Sequence, residues 1–437
     1  MPCVAQVRAA YHSNHLLRRC GRRNSGTRAE TGDGRPAMNL IGMPSKTAAR
    51  RISPALAALA LGAWLGGCAQ VAHTIPAAQL TQDALFHAPA QAAAAQAAAD
   101  NLFAMSEPMR RYAERVQRDP AVWRDRRQTL IDALYLKDAL QLSYDAGATR
   151  TAAEAFEERA GNCLSLVLMT AAFAKHLELP VNFQQVLIDE EFSRSGDLYF
   201  VSGHVNVVLG RHGAPFKGDD AQWLTIDFLP QVELRGQRTV PLEEPTLVAM
   251  FLNNRAAEAL ARGELTAAYW WARTALARDA HFAAAANTLG VIYQRAGQPE
   301  AAERALRYAI EREPRSASGW SNLVRLLQAQ GRFEEAGKAA ERLTALEPYP
   351  PFHFFEQGRR ALQQGAPEQA RDFFLRELRL QPQQHEVHFG LAQAYAALGE
   401  AKAASRHLAL AAENSPTRQT RALYAGKLER LRAVRQQ

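Results

Sequence analysis

Arg159-Ala160-Gly161-Asn162-Cys163-Leu164-Ser165-Leu166 is the stretch from which the fold of this chain is read. A glycine turn leads into Asn162, a residue type suited to capping a helix N-terminus, so Cys163 falls in the first helical turn. Leu164, Leu166, Val167, Leu168, Ala171, Ala172, Phe173 and Leu177 make that helix apolar on most of its faces, which predicts burial. Pro180 stops it. A thiol at such a helix start feels the helix dipole and unpaired N–H groups, which favour a thiolate and can stabilise an oxyanion beside it.

Elements on either side build a domain around this turn. Upstream, Leu102, Phe103, Met105, Met109, Tyr112 and Val116 predict one helix ending at Pro120, and Trp123, Leu130, Ile131, Leu134, Tyr135 and Leu140 a second. Thr151 with Glu154 three residues on reads as a capping box. Downstream, 181–188, 199–209 and 222–228 read as strands. Alternation places Ser202, His204 and Asn206 on one face of the second strand, and Trp223, Thr225 and Asp227 on one face of the third. Paired as neighbours, these strands set His204 beside Asp227, and the Cys163 helix packed on that face would complete the set. Asn206 or Gln185 could add an oxyanion donor.

Gly161-Asn162-Cys163 opening a buried helix, Gly203-His204-Val205-Asn206-Val207 on a strand and Ile226-Asp227-Phe228 on the next resemble the core of the transglutaminase-like superfamily, over residues 101–245. The resemblance implies an α+β, cysteine-protease-like domain. It implies Cys163 as nucleophile, His204 as general base and then acid, and Asp227 as the carboxylate that orients and stabilises the imidazolium. The reaction so implied is acyl transfer from an amide to the thiol, then to water or an amine. Leu164 stands where animal transglutaminases carry Trp, so the resemblance points to amide hydrolysis as readily as to cross-linking.

The remaining cysteines belong to the leader. Arg50 and Arg51 precede an apolar run from Ile52 to Trp64, which ends Leu65-Gly66-Gly67-Cys68. A basic start and a short apolar run are signal-peptide grammar, too short to span a membrane comfortably. The ending resembles the bacterial lipoprotein processing box, which implies cleavage before Cys68, lipidation at Cys68, and a mature protein anchored in the cell envelope. With Ala69 next, the outer membrane facing the periplasm is the expected place. Residues 1–42 fit no such grammar, and translation is expected to begin at Met38 or Met43.

Charge supports this division. The net +8 suggests an acidic partner, yet residues 1–67 hold ten basic residues against Glu30 and Asp33. Taking these from totals of 52 and 44 leaves 42 of each sign. The body has no basic excess to follow a phosphate backbone, so nucleic acid is excluded as a partner. Residues 68–100, rich in Ala and Gln, read as a tether leading into a weak helix.

After Pro245 the period changes. Gly263, Gly297, Gly331, Gly365 and Gly399 recur every 34 residues, as do Ala268, Ala302, Ala336, Ala370 and Ala404, and Pro314, Pro348, Pro382 and Pro416. The spacing resembles the tetratricopeptide repeat, a two-helix unit, five times over residues 249–418. Gly suits the left-handed turn closing each first helix, Ala lets two helices approach, and Pro ends the second. Trp270 and Trp271 thicken the first unit, where the array is expected to meet the middle domain. Tyr293, Trp320, Phe354 and Tyr395 are expected to fill space between repeats, and 419–437 to form an end helix.

Two functions follow. One is a membrane-anchored, thiol-dependent amide hydrolase or acyl transferase whose repeats recruit a polypeptide. The other is an inactive lipoprotein scaffold binding envelope proteins through the repeats. A thiol redox sensor at Cys163 is disfavoured because no resolving cysteine accompanies it. No phosphate-binding glycine loop occurs, and neither a cofactor nor a metal is expected. His385 and His388, one turn apart, are expected on a solvated helix face.

Overall fold

A computed structural model describes residues 76–436, apart from 137–139, 141, 146, 196–197, 212–221, 229–237, 350–351 and 416. The predicted leader and the Cys68 lipidation site lie outside the described residues. Two 3-10 turns, Ala77–Leu80 and Asp83–Phe86, lead into helix α1, Pro89–Asp100. Helices α2 (Glu107–Arg118) and α3 (Arg126–Tyr135) follow, then the two-residue strand β1 (Ser143–Tyr144) and helix α4 (Ala152–Glu158). Strand β2 (Ala160–Gly161) leads into α5, Cys163–His176.

The reading of 68–100 as a tether is corrected over 77–88, while the helix it was expected to lead into is α1. Leu80 and Phe86 are buried, and the Phe86 ring stacks on Tyr269 at 4.3 Å. The Tyr269 hydroxyl donates to Asp83 at 2.6 Å and accepts from the Gln82 N–H at 2.8 Å, and the Tyr293 hydroxyl donates to the Leu80 carbonyl at 2.7 Å. The segment is ordered by two apolar anchors and by partners more than 180 residues away, a signal that local composition does not carry.

Leu164 through Ala174 are all buried in α5, as its apolar sequence requires. The Tyr135 hydroxyl bonds to Thr170 of this helix, and the Tyr112 ring meets Phe173 edge-on. One apolar cluster therefore gathers α2, α3 and α5.

A four-stranded antiparallel sheet lies against it, from β3 (Val181–Ser195), β4 (Leu198–Gly210), β5 (Trp223–Ile226) and β6 (Arg238–Leu242), in the order β5-β4-β3-β6. The edge strand β6 has no counterpart in the sequence pattern, and β3 and β4 run longer than their apolar cores suggest. Their pairing shifts register between Val186 and Glu191, a bulge opposite the segment that leads to His204. Val205, Val207 and Leu209 of β4, with Phe183, Ile226 and Phe228, join the cluster of α5.

Ten helices then pair in sequence among the described residues. The pairs are α6 (Glu244–Ala261) with α7 (Leu265–Arg278), α8 (Ala283–Arg295) with α9 (Pro299–Arg312), and α10 (Ala317–Ala329) with α11 (Phe333–Leu346). The last two are α12 (His353–Gln363) with α13 (Pro367–Leu380), and α14 (His385–Ala397) with α15 (Ala401–Glu413). Helix α16, Arg418–Gln436, is the last described element. The five periodic glycines lie between paired helices with φ between 70° and 79°, a conformation that costs Gly little and a residue with Cβ more. The five periodic alanines are buried where the helices touch. Array and sheet domain also meet directly: Lys175 pairs with Glu244 at 2.6 Å, and Arg255 and Glu258 both bind Thr149.

Candidate functional site

The turn carrying Cys163 is held from several sides. Arg159 closes α4 in the left-handed region with φ 50°. β1 pairs in parallel with β2, Ser143 beside Ala160 and Tyr144 beside Gly161. Gly161 is required by space: a Cβ there would lie 2.6 Å from the Ser165 Cβ. Asn162 caps α5 as its side chain suggests, its Oδ1 accepting from the Ser165 N–H at 2.9 Å and from the Ser165 hydroxyl at 2.8 Å. The Arg150 N–H donates in turn to the Ser165 oxygen at 2.8 Å. Cys163 is thus the first helical residue, half-buried, and not in a disulfide.

His204 and Asp227 come together as the strand faces predict. Val207 pairs with Ile226, so alternation puts His204 and Asp227 on the same side of the sheet. Both are buried, and His204 Nε2 lies 2.7 Å from Asp227 Oδ2. Burial works against the imidazolium. The hydrogen bond to Asp227, then the interaction with the Cys163 sulfur and the charge of both partners, more than offsets it and pushes the His204 pKa up to about 9. With Nε2 given to Asp227, Nδ1 is the ring nitrogen left for the thiol. Nδ1 has no partner at hydrogen-bond geometry, so thiol and ring are neighbours rather than a formed hydrogen bond. Contacts of this kind tighten on substrate binding in many enzymes.

Two details of the sequence reading change. α5 shares its apolar cluster with the Val205 and Val207 side of β4, whereas Val186, paired with His204, and Val208 on the same side as His204 are buried outside it. Cys163 therefore meets the imidazole at the helix's N-terminal end, not across its packed flank. Gln185 pairs with Val205 and so shares its side of the sheet, which removes it as an oxyanion donor to the His204 side. Asn206 stays on the His204 side and is buried, its Oδ1 unpartnered.

A second histidine group departs from the sequence reading. His388 is buried, not on a solvated face. Its Nδ1 lies 3.1 Å from His407 Nδ1, one ring donating to the other, and its Nε2 donates to the Pro382 carbonyl at 3.2 Å. The His385 Nδ1 meets the Tyr424 hydroxyl at 3.0 Å. Burial, then the nearby His388, lowers the pKa of His385 and of His407 to about 4 each. The 34-residue period hides this, because His407 arrives from the next helix. Among the described residues no group of three or more His, Cys, Asp or Glu is arranged to hold a metal ion, and no helix is long and apolar enough to cross a membrane.

The array carries its own polar row. Asn322 donates to Asn287 at 2.9 Å, from one first helix to the preceding one, and Arg325 donates to Asn322 at 2.5 Å. Trp320 and Tyr395 remain partly exposed, and Tyr293 packs on the N-terminal segment as well as between helices.

The tetratricopeptide repeat family model matches residues 287–351 and 355–418. With the helix pairs above, it makes the C-terminal part an all-helical tetratricopeptide-type solenoid. No curated protein matches the chain. Among solved structures, the chain is similar to pilF of Pseudomonas aeruginosa, at 26% identity over 43% of this chain and 94% of that one, with a TM-score of 0.25. It is similar also to TTC0263, a thermophilic TPR protein of Thermus thermophilus, at 20% identity over 41% and 98%, with a TM-score of 0.27. The MamA protein matches at 18% identity over 40% and 93%, with a TM-score of 0.23.

Proposed function

We propose that this chain works by holding a polypeptide on its tetratricopeptide repeats, as a protein–protein interaction scaffold. The observation that carries this reading is the repeat array itself, matched by the family model and built from stacked helix pairs. Solenoids of this kind present extended surfaces to peptides. Exposed Arg325, held by buried Asn322, which itself donates to Asn287, supplies a guanidinium suited to a carboxylate. Replacing Arg325 by Glu should abolish complementation of a deletion strain while Cys163→Ala complements fully. The reverse pattern would defeat the scaffold reading in favour of catalysis.

A second reading is supported by the proximity of Cys163, His204 and Asp227: thiol-dependent amide hydrolysis or acyl transfer on the recruited polypeptide, the chemistry of the transglutaminase-like superfamily. An imidazole with a pKa near 9 holds a proton at neutral pH. With the ring already protonated, His204 acts first as the acid, not first as the base: the Cys163 thiolate sulfur bonds to the amide carbonyl carbon, and as the carbon–nitrogen bond breaks His204 gives its proton to the departing amine. Water or a second amine then adds to the thioester carbonyl carbon, His204 takes its proton, and the carbon–sulfur bond breaks to release the thiolate beside the re-protonated ring. Asp227 keeps the ring oriented throughout. Backbone N–H groups at the start of α5 would face the developing oxyanion. Loss of Cys163 labelling by an iodoacetamide-type probe at neutral pH in His204→Ala tests the pair, and labelling equal to wild type would sink it.

For placement, the Cys68 box supports a lipid anchor in the bacterial envelope. Mass measurement of the mature N-terminus, with and without Cys68→Ser, tests this.

A further inference from the structure

The cap of the thiol helix is tied to the repeat array through one residue. Asn162 spends its Oδ1 on Ser165, and its Nδ2 donates to the Thr149 hydroxyl at 2.9 Å. Both ends of the amide are therefore fixed, and the side chain cannot rotate without losing a partner on each. Thr149 is buried to 1% exposure. Its N–H donates to Glu258 Oε1 at 2.7 Å, and its carbonyl accepts from Arg255 Nη1 at 3.0 Å. Glu258 and Arg255 stand one turn apart on α6, the first helix of the array. The Arg255 guanidinium lies 5.2 Å from the Trp271 ring centroid, a contact from the second helix of the same repeat. The residue after Thr149 also belongs to the link, since the Arg150 N–H donates to the Ser165 oxygen.

Every polar group of Thr149 is thus committed, two of them to the array and one to the cap before Cys163. A domain that merely carried the repeats as a recruiting arm would not need the arm to fix its helix cap. We propose that Thr149, gripped by Arg255 and Glu258 of the first repeat, is a positioning residue for the Cys163 thiol, so that the first repeat is a working part of the thiol site. The proposal rests on the acyl-transfer reading above. It also gives the array a route to act on the site, because a load on α6 bears on Thr149 and through it on Asn162.

The test uses the full chain and follows alkylation of the Cys163 peptide by iodoacetamide, resolved by mass spectrometry, from about pH 5 to about pH 10. Thr149→Val keeps the shape and removes the hydroxyl, and Glu258→Ala removes the grip from the array side. Each should lower the neutral-pH rate roughly tenfold or more and shift the pH at half-maximal rate, as displaced reacting groups do. Thr149→Ser restores the hydroxyl and should return the rate to within about twofold of wild type. His204→Ala serves as the reference. If it slows alkylation while Thr149→Val and Glu258→Ala keep the wild-type rate and profile, the positioning role is overturned and the acyl-transfer reading stands. If His204→Ala itself changes nothing, that reading fails and takes this proposal with it. Thermal melts accompany each variant, and Glu258→Ala alone decides the matter should Thr149→Val not fold.

Discussion

His204 Nε2 on β4 and Asp227 Oδ2, just past the end of the neighbouring β5, stand 2.7 Å apart in a buried site, 23 residues apart in sequence. A charge-assisted pair in such a setting costs little while both partners are present and a great deal when one is removed. Asp227→Ala should therefore destabilise the chain by about 3–5 kcal/mol. Asp227→Asn keeps a hydrogen bond and should cost less. Denaturant unfolding of the two variants, followed by near-ultraviolet circular dichroism, checks the order.

The same pair sets a pH dependence. The folded pKa of His204 is raised from 6.5 to about 9. Its contribution to stability is fully present below about 6.5 and lost as pH rises through about 9. The midpoint of denaturation should fall between those values, and the fall should be smaller in His204→Gln. A wild-type profile flat across the window would contradict the assignment.

The opposite slope belongs to the C-terminal repeats. His385 and His407, lowered from 6.5 to about 4, stay neutral when folded over a range in which the unfolded chain takes up protons. Stability there is present above about 6.5 and lost as pH falls toward about 4. Hydrogen exchange should show α14, α15 and α16 opening first on acidification, and His407→Phe should blunt the effect.

Gly161→Ala should be costly out of proportion to one methyl group, because the new Cβ would press on the Ser165 Cβ in the first turn of α5. Overpacking of this kind costs about 1–3 kcal/mol. Since Ser165 is bonded to Asn162, the shift should reach Cys163 and slow its alkylation. An unchanged melt together with unchanged alkylation would refute the packing account.

Tyr269→Phe removes two hydrogen bonds, to Asp83 and from Gln82, while keeping the ring that stacks on Phe86. The loss should be about 1–3 kcal/mol. It should make residues 77–88 accessible to limited proteolysis before the repeats are cut.

Where the chemistry is local, the sequence by itself was decisive. The glycines every 34 residues fix the αL turns between paired helices, because only a residue without Cβ adopts that conformation cheaply. Asn162 before an apolar run is enough to place Cys163 in the first turn, and period-2 alternation is enough to set His204 and Asp227 on one side of the sheet. Tertiary structure decided what depends on distant partners. The segment 77–88, before the Ala-rich helix, gives no sign of order until Tyr269 and Tyr293 arrive more than 180 residues later. His388 looks like a surface residue until the next helix brings His407 against it. Which side of β4 meets α5 follows from how the apolar cluster closes. Thr149 shows the difference most plainly: in the chain it is one residue of an ordinary loop, and only folding places the Asn162 amide and the first repeat's Arg255 and Glu258 around it.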